Sequence, residues 1–453
     1  MTEHADVVVV GMGPGGEHLA GRLAEEGLDV VGVEGRLLGG ECPYWGCVPS
    51  KMMLRAAALL ADARRVTGMA GSVTVSADWA PVAKRIRTEA TDDWDDRVAV
   101  ERFESKGGRF VRGWGRLAGP GRVTVGEREL DAKRAIVLNA GTQPWAPPIP
   151  GLSDVPYWTN RNAIEATEVP SSLLVVGGGA VGVELAQVFG RFGTAVTVVE
   201  AAPHLLPLEE PESGRLLADV LTAEGLRVVT GTQVDSVRDN GRGIAVGLST
   251  GEWLEGERLL VAVGRRVDLA ALGVGSVGLD EKARSIPVDE SCRAAPGLWA
   301  IGDITGVGGF THVSMYQADI AVADILGRPG APADYRAVPR VTFTDPEIGS
   351  VGLNEALARA AGLNVRIGRA ELPSSARGWI QKVDNAGFVK LVEDADRGVL
   401  VGATSVGPCG GEVLSMLTLA VHASIPTAEL ATMIYAYPTF HRAVEGALKN
   451  LAF

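Results

Sequence analysis

Cysteine is scarce in this chain of 453 residues: four occur, Cys42, Cys47, Cys292 and Cys409. So few in so long a chain exclude a disulfide-stapled scaffold. The six histidines are scattered and form no metal-ligand cluster. No apolar run is long enough and free enough of charge to cross a bilayer, so membrane insertion is not expected. A long basic stretch is missing as well. The formal charge of −12 disfavours nucleic acid and anionic membrane surfaces as partners. Nothing reads as a secretory leader, because the apolar run at 7–10 is short and enters a glycine-rich turn at once. These absences predict a cytoplasmic protein. What is present is ordinary for a chain with a real core: 46% apolar and 22% charged residues. The length allows about two to four domains. The 59 glycines follow no collagen period and suit a fold with many tight strand–loop–helix junctions.

Residues 5–10 read as a buried parallel strand. They run into Gly11-Met12-Gly13-Pro14-Gly15-Gly16, a helical pattern carrying Leu19 and Leu23, and a second strand at 29–33 that ends at Glu34. Each position has a physical job. Gly11 permits the sharp turn, Gly13 lets backbone approach a pyrophosphate, and Gly16 lets helix and sheet pack closely. The helix N-terminus receives the phosphate charge, and Glu34 takes a ribose hydroxyl. A lone glycine motif would fit a turn in many α/β proteins; the strand–turn–helix–strand–acid context makes it a dinucleotide site.

The pattern recurs. A strand at 173–176 enters Gly177-Gly178-Gly179-Ala180-Val181-Gly182, a helix at 183–189 comes next, and a strand at 195–199 ends at Glu200. Gly177, Gly179 and Gly182 repeat the three glycine roles. First glycine and acid are 23 positions apart in both copies. Two such sites imply two dinucleotides, and electron transfer between them is the economical reason to hold both. Glu200 can accept from both ribose hydroxyls and would repel a 2'-phosphate, which favours NADH over NADPH. Ala201, Ala202 and Pro203 bring no guanidinium; Arg191 is the residue that could reach the area.

Two cysteines stand in Gly39-Gly40-Glu41-Cys42-Pro43-Tyr44-Trp45-Gly46-Cys47-Val48-Pro49-Ser50-Lys51. A spacing of five does not stack two side chains on one face of an ideal helix. Pro43 and Gly46 predict an irregular turn that could still bring the sulfurs together. A helix N-terminus and Lys51 would favour a thiolate. The alternative, buried structural thiols, suits Cys292 and Cys409 better.

This segment resembles the redox-active motif of the flavoprotein disulfide reductases, the group containing dihydrolipoyl dehydrogenase, glutathione reductase and mercuric reductase. The likeness covers essentially the whole chain. It implies an FAD-dependent NAD(P)H oxidoreductase, active as a homodimer, with a redox-active Cys42–Cys47 disulfide. By that likeness Cys47 faces the flavin as the charge-transfer thiolate and Cys42 is the interchange thiol. Lys51 pairs with Glu184 near the flavin and nicotinamide, and Gly40 belongs to the flavin site. Asn139-Ala140-Gly141-Thr142 resembles the exit from the FAD domain and Val263-Gly264-Arg265 the return to it. Leu298-Trp299-Ala300-Ile301-Gly302-Asp303 resembles the second FAD motif, with Asp303 on the ribityl chain and Thr311 and His312 opening the next helix. Phe343-Thr344-Asp345-Pro346-Glu347-Ile348-Gly349 resembles the start of the interface domain, which Gly387-Phe388-Val389-Lys390-Leu391 and Gly407-Pro408 continue.

The implied fold is α/β: two Rossmann-like dinucleotide-binding domains, for FAD and NAD(P), plus a C-terminal α+β dimerisation domain. The expected bounds are 1–148 with 276–332 for FAD, 149–275 for NAD(P) and 333–453 for the interface. The segment 50–103 reads as mainly two long helices. C-terminal strands are expected near 340–343, 365–370, 388–393 and 402–406.

One departure from the family bears on the acceptor. Dihydrolipoyl dehydrogenases and glutathione reductases carry a His before a Pro-Thr, then a Glu that orients it, as the acid/base pair. Here Tyr437 matches the His position and Arg442 the Glu position. A tyrosine ionises near ~10 against ~6.5 for histidine, so it is a poor proton acceptor near neutrality. His441, four residues from Tyr437, is the substitute candidate, one turn away if both lie on a helix. Mercuric reductases also lack the pair but use a further cysteine pair near the C-terminus, whereas Cys409 is isolated. The expected acceptor is a small molecule: a disulfide, a quinone or another electrophile. The alternative is a dihydrolipoyl dehydrogenase with an atypical acid/base.

Overall fold

A computed structural model describes residues 2–451. The chain divides into two compact units: Met1–Pro49 with Lys84–Trp145 and Gly264–Tyr335, and Ser50–Ala83 with Ala146–Val263 and Arg336–Phe453.

The first unit is built on a sheet whose order is Arg293–Ala295, Leu298–Ala300, Arg128–Leu138, Thr2–Val10, Val30–Glu34, Arg109–Arg112. From Leu298–Ala300 onward every pairing on this path is parallel. Strand Thr2–Val10 is central because it is apolar on both faces. Val7 and Val9 join one core with Leu19, Leu23 and Phe103, while Val8 and Val10 join another with Val31, Leu117 and Ile136. Each fully buried valine contributes roughly 1.5 kcal/mol or more of apolar burial. The chain runs from this strand to its neighbour on one side, Val30–Glu34, and only later to Arg128–Leu138 on the other. The crevice at its carboxyl end is therefore the topological switch point, where open α/β sheets bind ligands.

The second unit carries a parallel four-stranded sheet in the order Arg227–Val229, Ala195–Val199, Ser172–Val176, Arg258–Val261. It also holds an antiparallel three-stranded sheet at Val234–Asp239, Ile244–Leu248 and Trp253–Gly256. Its C-terminal part is an antiparallel five-stranded sheet ordered Pro339–Thr342, Glu347–Gly352, Val399–Gly407, Phe388–Asp394, Val365–Glu371. Helices Gly410–His422 and Ala443–Lys449 bury Leu414, Leu417, Val444 and Ala447 against it. Several large apolar side chains of this part stay exposed, among them Trp379, Leu419 and Ile434.

Two local expectations are corrected. The segment 50–103 holds one long helix, Cys47–Arg65, then the short helix Ala80–Arg85, a π-helical turn Ile86–Ala90, and helix Arg97–Ser105. Gly68 and Gly71 take positive φ, and Asp92, Asp93 and Trp94 do so in succession, which no helix tolerates. The strand Glu347–Gly352 was not anticipated, because its glycines hide the alternation. Gly349 is needed there: a Cβ would come within 2.9 Å of the Gly410 carbonyl oxygen at the start of the covering helix.

Candidate redox-active site

The first glycine loop is shaped by near-collisions that only glycine avoids. A Cβ on Gly11, which has φ +94°, would lie 2.4 Å from the Asn139 carbonyl oxygen, and one on Gly16 would lie 2.1 Å from that of Gly11. Gly13 is the open one, with only the Asn139 amide near its missing Cβ. Helix Pro14–Glu25 comes next, with Pro14 in its first turn. The loop thus presents bare backbone and a helix N-terminus, the cradle that a dinucleotide pyrophosphate requires. The second loop repeats it. Gly182 would meet the Gly177 carbonyl oxygen at 2.0 Å, whereas Gly179 has nothing within 4 Å.

The two acids share a device that their spacing did not disclose. Glu34 accepts from the Met12 N–H at 3.0 Å through Oε2 and from the Arg36 N–H at 2.8 Å through Oε1. Glu200 accepts from Gly178 at 2.6 Å through Oε2 and from Ala202 at 2.7 Å through Oε1. Each carboxylate latches the residue after the first glycine to the residue two beyond itself. Burial pushes the Glu34 carboxyl up, and the two N–H donors oppose that rise. A carboxylate has about four lone-pair sites, so ribose hydroxyls can still be accepted. These observations fit a dinucleotide at each loop.

The cysteine segment is anchored to the first loop. Gly40 has φ +68°, and a Cβ there would lie 2.8 Å from the Gly13 Cα. The predicted irregularity is a break between helices: Cys42 sits in the short helix Glu41–Tyr44, and Cys47 begins helix Cys47–Arg65. Tyr44 is buried and donates to the Leu38 carbonyl oxygen at 3.1 Å, fixing the first piece. The two thiols are not covalently joined and hydrogen-bond to each other. That bond, then burial, then the charge of Cys47 raise the Cys42 thiol well above the ordinary range. Thr311, the first residue of helix Thr311–Ile325, brings its Oγ1 within 3.6 Å of the Cys47 Sγ. His312 stacks on Phe310 with ring centroids 5.2 Å apart.

Asp303 lies just past the strand Leu298–Ala300 in a short turn and accepts from the Thr142 hydroxyl at 3.0 Å. Thr142 accepts in turn from Arg265 Nε at 2.8 Å, and Arg265 lies 3.7 Å from the Glu41 carboxylate. The outgoing and returning connections pair as a small ladder, Pro144 with Arg265 and Gln143 with Arg266. Gly141 and Gly264 flank it at φ +63° and +125°. Asp303, Gly141 and Gly264 are thus brought to one ladder that reaches the helix of Cys42.

In the second unit, the Lys51 ammonium donates to Glu184 Oε2 at 2.8 Å and lies 4.6 Å from the centroid of the Phe343 ring. Glu184 is buried, and its Oε1 accepts from the Phe343 N–H at 2.8 Å. Helix Ala180–Arg191 clamps the same segment twice more. Gln187 exchanges two 2.8 Å hydrogen bonds with the backbone of Asp345, and Arg191 binds the Asp345 carboxylate at 2.7 Å. Glu184, Gln187 and Arg191 lie at i, i+3 and i+7, one stripe of the helix. Arg191 is buried and is also bound to Glu224.

Asp384 completes this cluster, 2.8 Å from Arg65. Burial and the neighbouring Asp345 charge push its carboxyl up to about 7. The folded state then keeps a proton that the unfolded chain releases near ~4. The contribution of Asp384 to stability is full below that pH and falls as pH rises towards 7. Asp384→Asn should therefore gain in melting temperature relative to the parent protein between pH 5 and pH 8. Parallel thermal melts across that range check this, and a constant difference would contradict it.

Tyr437 is 69% exposed in the turn before the last helix, with the Arg442 guanidinium 5.5 Å from its ring centroid. His441 lies beyond that turn, its Nε2 3.4 Å from the Thr439 hydroxyl. The two are not on a common helix, so the one-turn spacing is not realised. Arg442 donates to the Tyr435 carbonyl oxygen and pairs with Glu445 rather than with a histidine. Among the described residues no group of three or more His, Cys, Asp or Glu could hold a metal ion, and no helix is long and apolar enough to cross a membrane.

Comparison with known proteins agrees with this layout. Residues 5–322 match the model of the pyridine nucleotide-disulphide oxidoreductases, and 338–448 match their dimerisation domain. Dihydrolipoyl dehydrogenase 3 of Pseudomonas aeruginosa is 34% identical over 100% of this chain and 98% of its own length. The dihydrolipoyl dehydrogenase of Chlorobaculum tepidum is 34% identical over 98% and 96%. Among solved structures, LpdA from Mycobacterium tuberculosis superposes with a TM-score of 0.86 at 26% identity, covering 100% of both chains. The HOCl-induced flavoprotein disulfide reductase RclA from Escherichia coli gives 0.82 at 25% identity over 98% of this chain and 99% of that one.

Proposed function

This chain belongs to the pyridine nucleotide-disulphide oxidoreductase family and is an FAD-dependent enzyme of that class, and from that premise we propose that it moves electrons from NADH to a small-molecule acceptor through the Cys42–Cys47 pair. The acceptor is a disulfide, a quinone or another electrophile. The observation that carries this reading is the dithiol: two sulfurs in hydrogen bond, on two helix starts, anchored through Gly40 to the first glycine loop.

FAD, when bound, supplies the two-electron carrier between the nicotinamide and the sulfurs. Gly11, Gly13, Gly16, Glu34, Gly40, Gly141, Asp303, Thr311 and His312 are the residues we assign to it, with Gly264 at the returning strand. Gly177, Gly179, Gly182 and Glu200 are assigned to the nicotinamide dinucleotide, NADH ahead of NADPH. The disulfide takes up two electrons and one proton, the equivalent of the hydride that NADH gives up, to become a thiol and a thiolate. Cys42 then serves as the interchange sulfur, and Cys47, beside Thr311, as the thiolate. Lys51 and Glu184 act as a fixed ion pair at the reducing end. The assigned domains remain 1–148 with 276–332, 149–275 and 333–453, and the exposed Trp379, Leu419 and Ile434 suit a homodimer contact of the last one.

A second reading, dihydrolipoyl dehydrogenase, is favoured by the names of the relatives. It requires Tyr437 or His441 to move the proton in place of the family's histidine.

Anaerobic titration with NADH tests the proposal. Uptake of two reducing equivalents beyond those the flavin alone accepts, with a long-wavelength band at the intermediate stage, is expected. Uptake that stops at the flavin refutes the relay. Turnover with lipoamide, small thiol disulfides and quinones then separates the two readings.

A further inference from the structure

In the C-terminal part of the second unit, the edge strand Val365–Glu371, the short helix Ala376–Gln381 and the last helix, Ala443–Lys449, enclose a cavity of about 500 Å³. That volume holds a small molecule. Its charge runs against that of the chain, which is −12. Four cations, Arg369, Arg377, Arg442 and Lys449, line it with two carboxylates, Glu371 and Glu445. Both carboxylates are already paired. Glu371 accepts from Arg369 Nε at 2.6 Å, and Glu445 takes Lys449 at 2.7 Å and Arg442 at 3.0 Å. Arg377 has no carboxylate partner among the described residues. Its guanidinium lies half-buried, 5.3 Å from the Phe440 ring centroid. Like charges gathered in this way repel one another, and an anion in the cavity relieves that cost.

The cavity lies next to the site's departure from the family. Pro438, which lines it, follows Tyr437, and Arg442 forms part of its wall. Those are the two positions that match the family's acid/base histidine and glutamate. A guanidinium in place of a carboxylate at 442 suits the holding of an anion rather than the orienting of an imidazole. We propose that this cavity receives the acidic end of the electron acceptor, which is therefore a carboxylate-bearing small molecule, with Arg377 and Arg442 as its anchors. The proposal rests on the reading that Cys42 passes electrons to a small-molecule acceptor, and it names that acceptor's class.

The test is steady-state turnover of the holoenzyme with NADH and three disulfides of similar skeleton. Dithiodipropionate carries two carboxylates, hydroxyethyl disulfide is uncharged, and cystamine carries two ammonium groups. NADH and one proton reduce each of them to two thiols. In the parent, kcat/KM should fall in that order, by about tenfold from the first to the second. The long-range field of an acidic chain favours the opposite order, so a lead for dithiodipropionate is the signature of the cavity. Arg377→Glu should lower the ratio of kcat/KM for dithiodipropionate to that for hydroxyethyl disulfide by about tenfold or more, and Arg377→Lys should keep it within about threefold. An unchanged ratio in R377E overturns the proposal. So do equal values for all three disulfides in the parent, a result that needs no variant to fold. If none of the three is turned over while NADH still reduces the flavin, the disulfide reading itself falls and takes the role of the cavity with it.

Discussion

Cys42→Ser should lower NADH-driven reduction of a disulfide acceptor by about 10³-fold or more, because it removes the attacking sulfur itself rather than a group that tunes it. The flavin should stay bound, since Gly40 and Tyr44 rather than the Cys42 thiol anchor this helix to the loop. Reduction of the flavin by NADH should also survive. The variant leaves Cys47 beside Thr311, with a serine hydroxyl in place of the neighbouring thiol. If the acceptor takes electrons from the flavin, as a quinone can, C42S keeps that turnover while losing the disulfide reaction. Stopped-flow reduction by NADH, together with steady-state assays on a disulfide and a quinone, reads all three steps. Full disulfide turnover in C42S would remove the interchange role.

Glu200→Ala should cut kcat/KM for NADH by about 10- to 100-fold while leaving NADPH within a few-fold. A charge-assisted hydrogen bond to a sugar hydroxyl is worth about 1.5–3 kcal/mol, and each 1.4 kcal/mol is a factor of ten. The carboxylate also repels a 2'-phosphate, so its loss relieves NADPH of a penalty as it removes a contact from NADH. The latch adds a second cost: the Gly178 and Ala202 N–H groups lose their acceptor, and the loop loosens for both coenzymes. Glu200→Gln separates these effects, because its amide oxygen can keep one N–H while the charge is gone. Parallel initial-rate series with NADH and NADPH give the ratio directly, and an unchanged ratio in E200A would contradict the coenzyme preference.

Much of this site was legible in the residues because backbone geometry constrains it locally. A turn in which a Cβ at position 16 would lie 2.1 Å from a carbonyl oxygen can be written only with glycine, and an acid at a fixed interval can be counted. The cysteine pair was legible for the same reason, since Pro43 and Gly46 announce the break between helices. What escaped depends on partners far along the chain. Thr311 reaches Cys47 across 264 positions, and no local pattern signals that. Arg191 looked available for a phosphate because Glu224 and Asp345, which occupy it, lie 33 and 154 positions away. The helical expectation for 50–103 failed because apolar spacing says nothing about the three consecutive positive φ values at Asp92, Asp93 and Trp94. The latch of each acid on its own loop was hidden too, since a sequence shows which residue is acidic but not which N–H groups it faces.

The stripe of Glu184, Gln187 and Arg191 constrains how this enzyme can be recombined. The helix that opens at the second glycine loop is keyed, along three points of one side, to the main chain and carboxylate of residues 343–345. Adding or deleting one residue between positions 184 and 191 would turn the remaining keys by about 100° and misalign them. A chimera that borrows a coenzyme-binding module from a relative must therefore import its own 343–345 tripeptide as well, with crossover points outside both stretches.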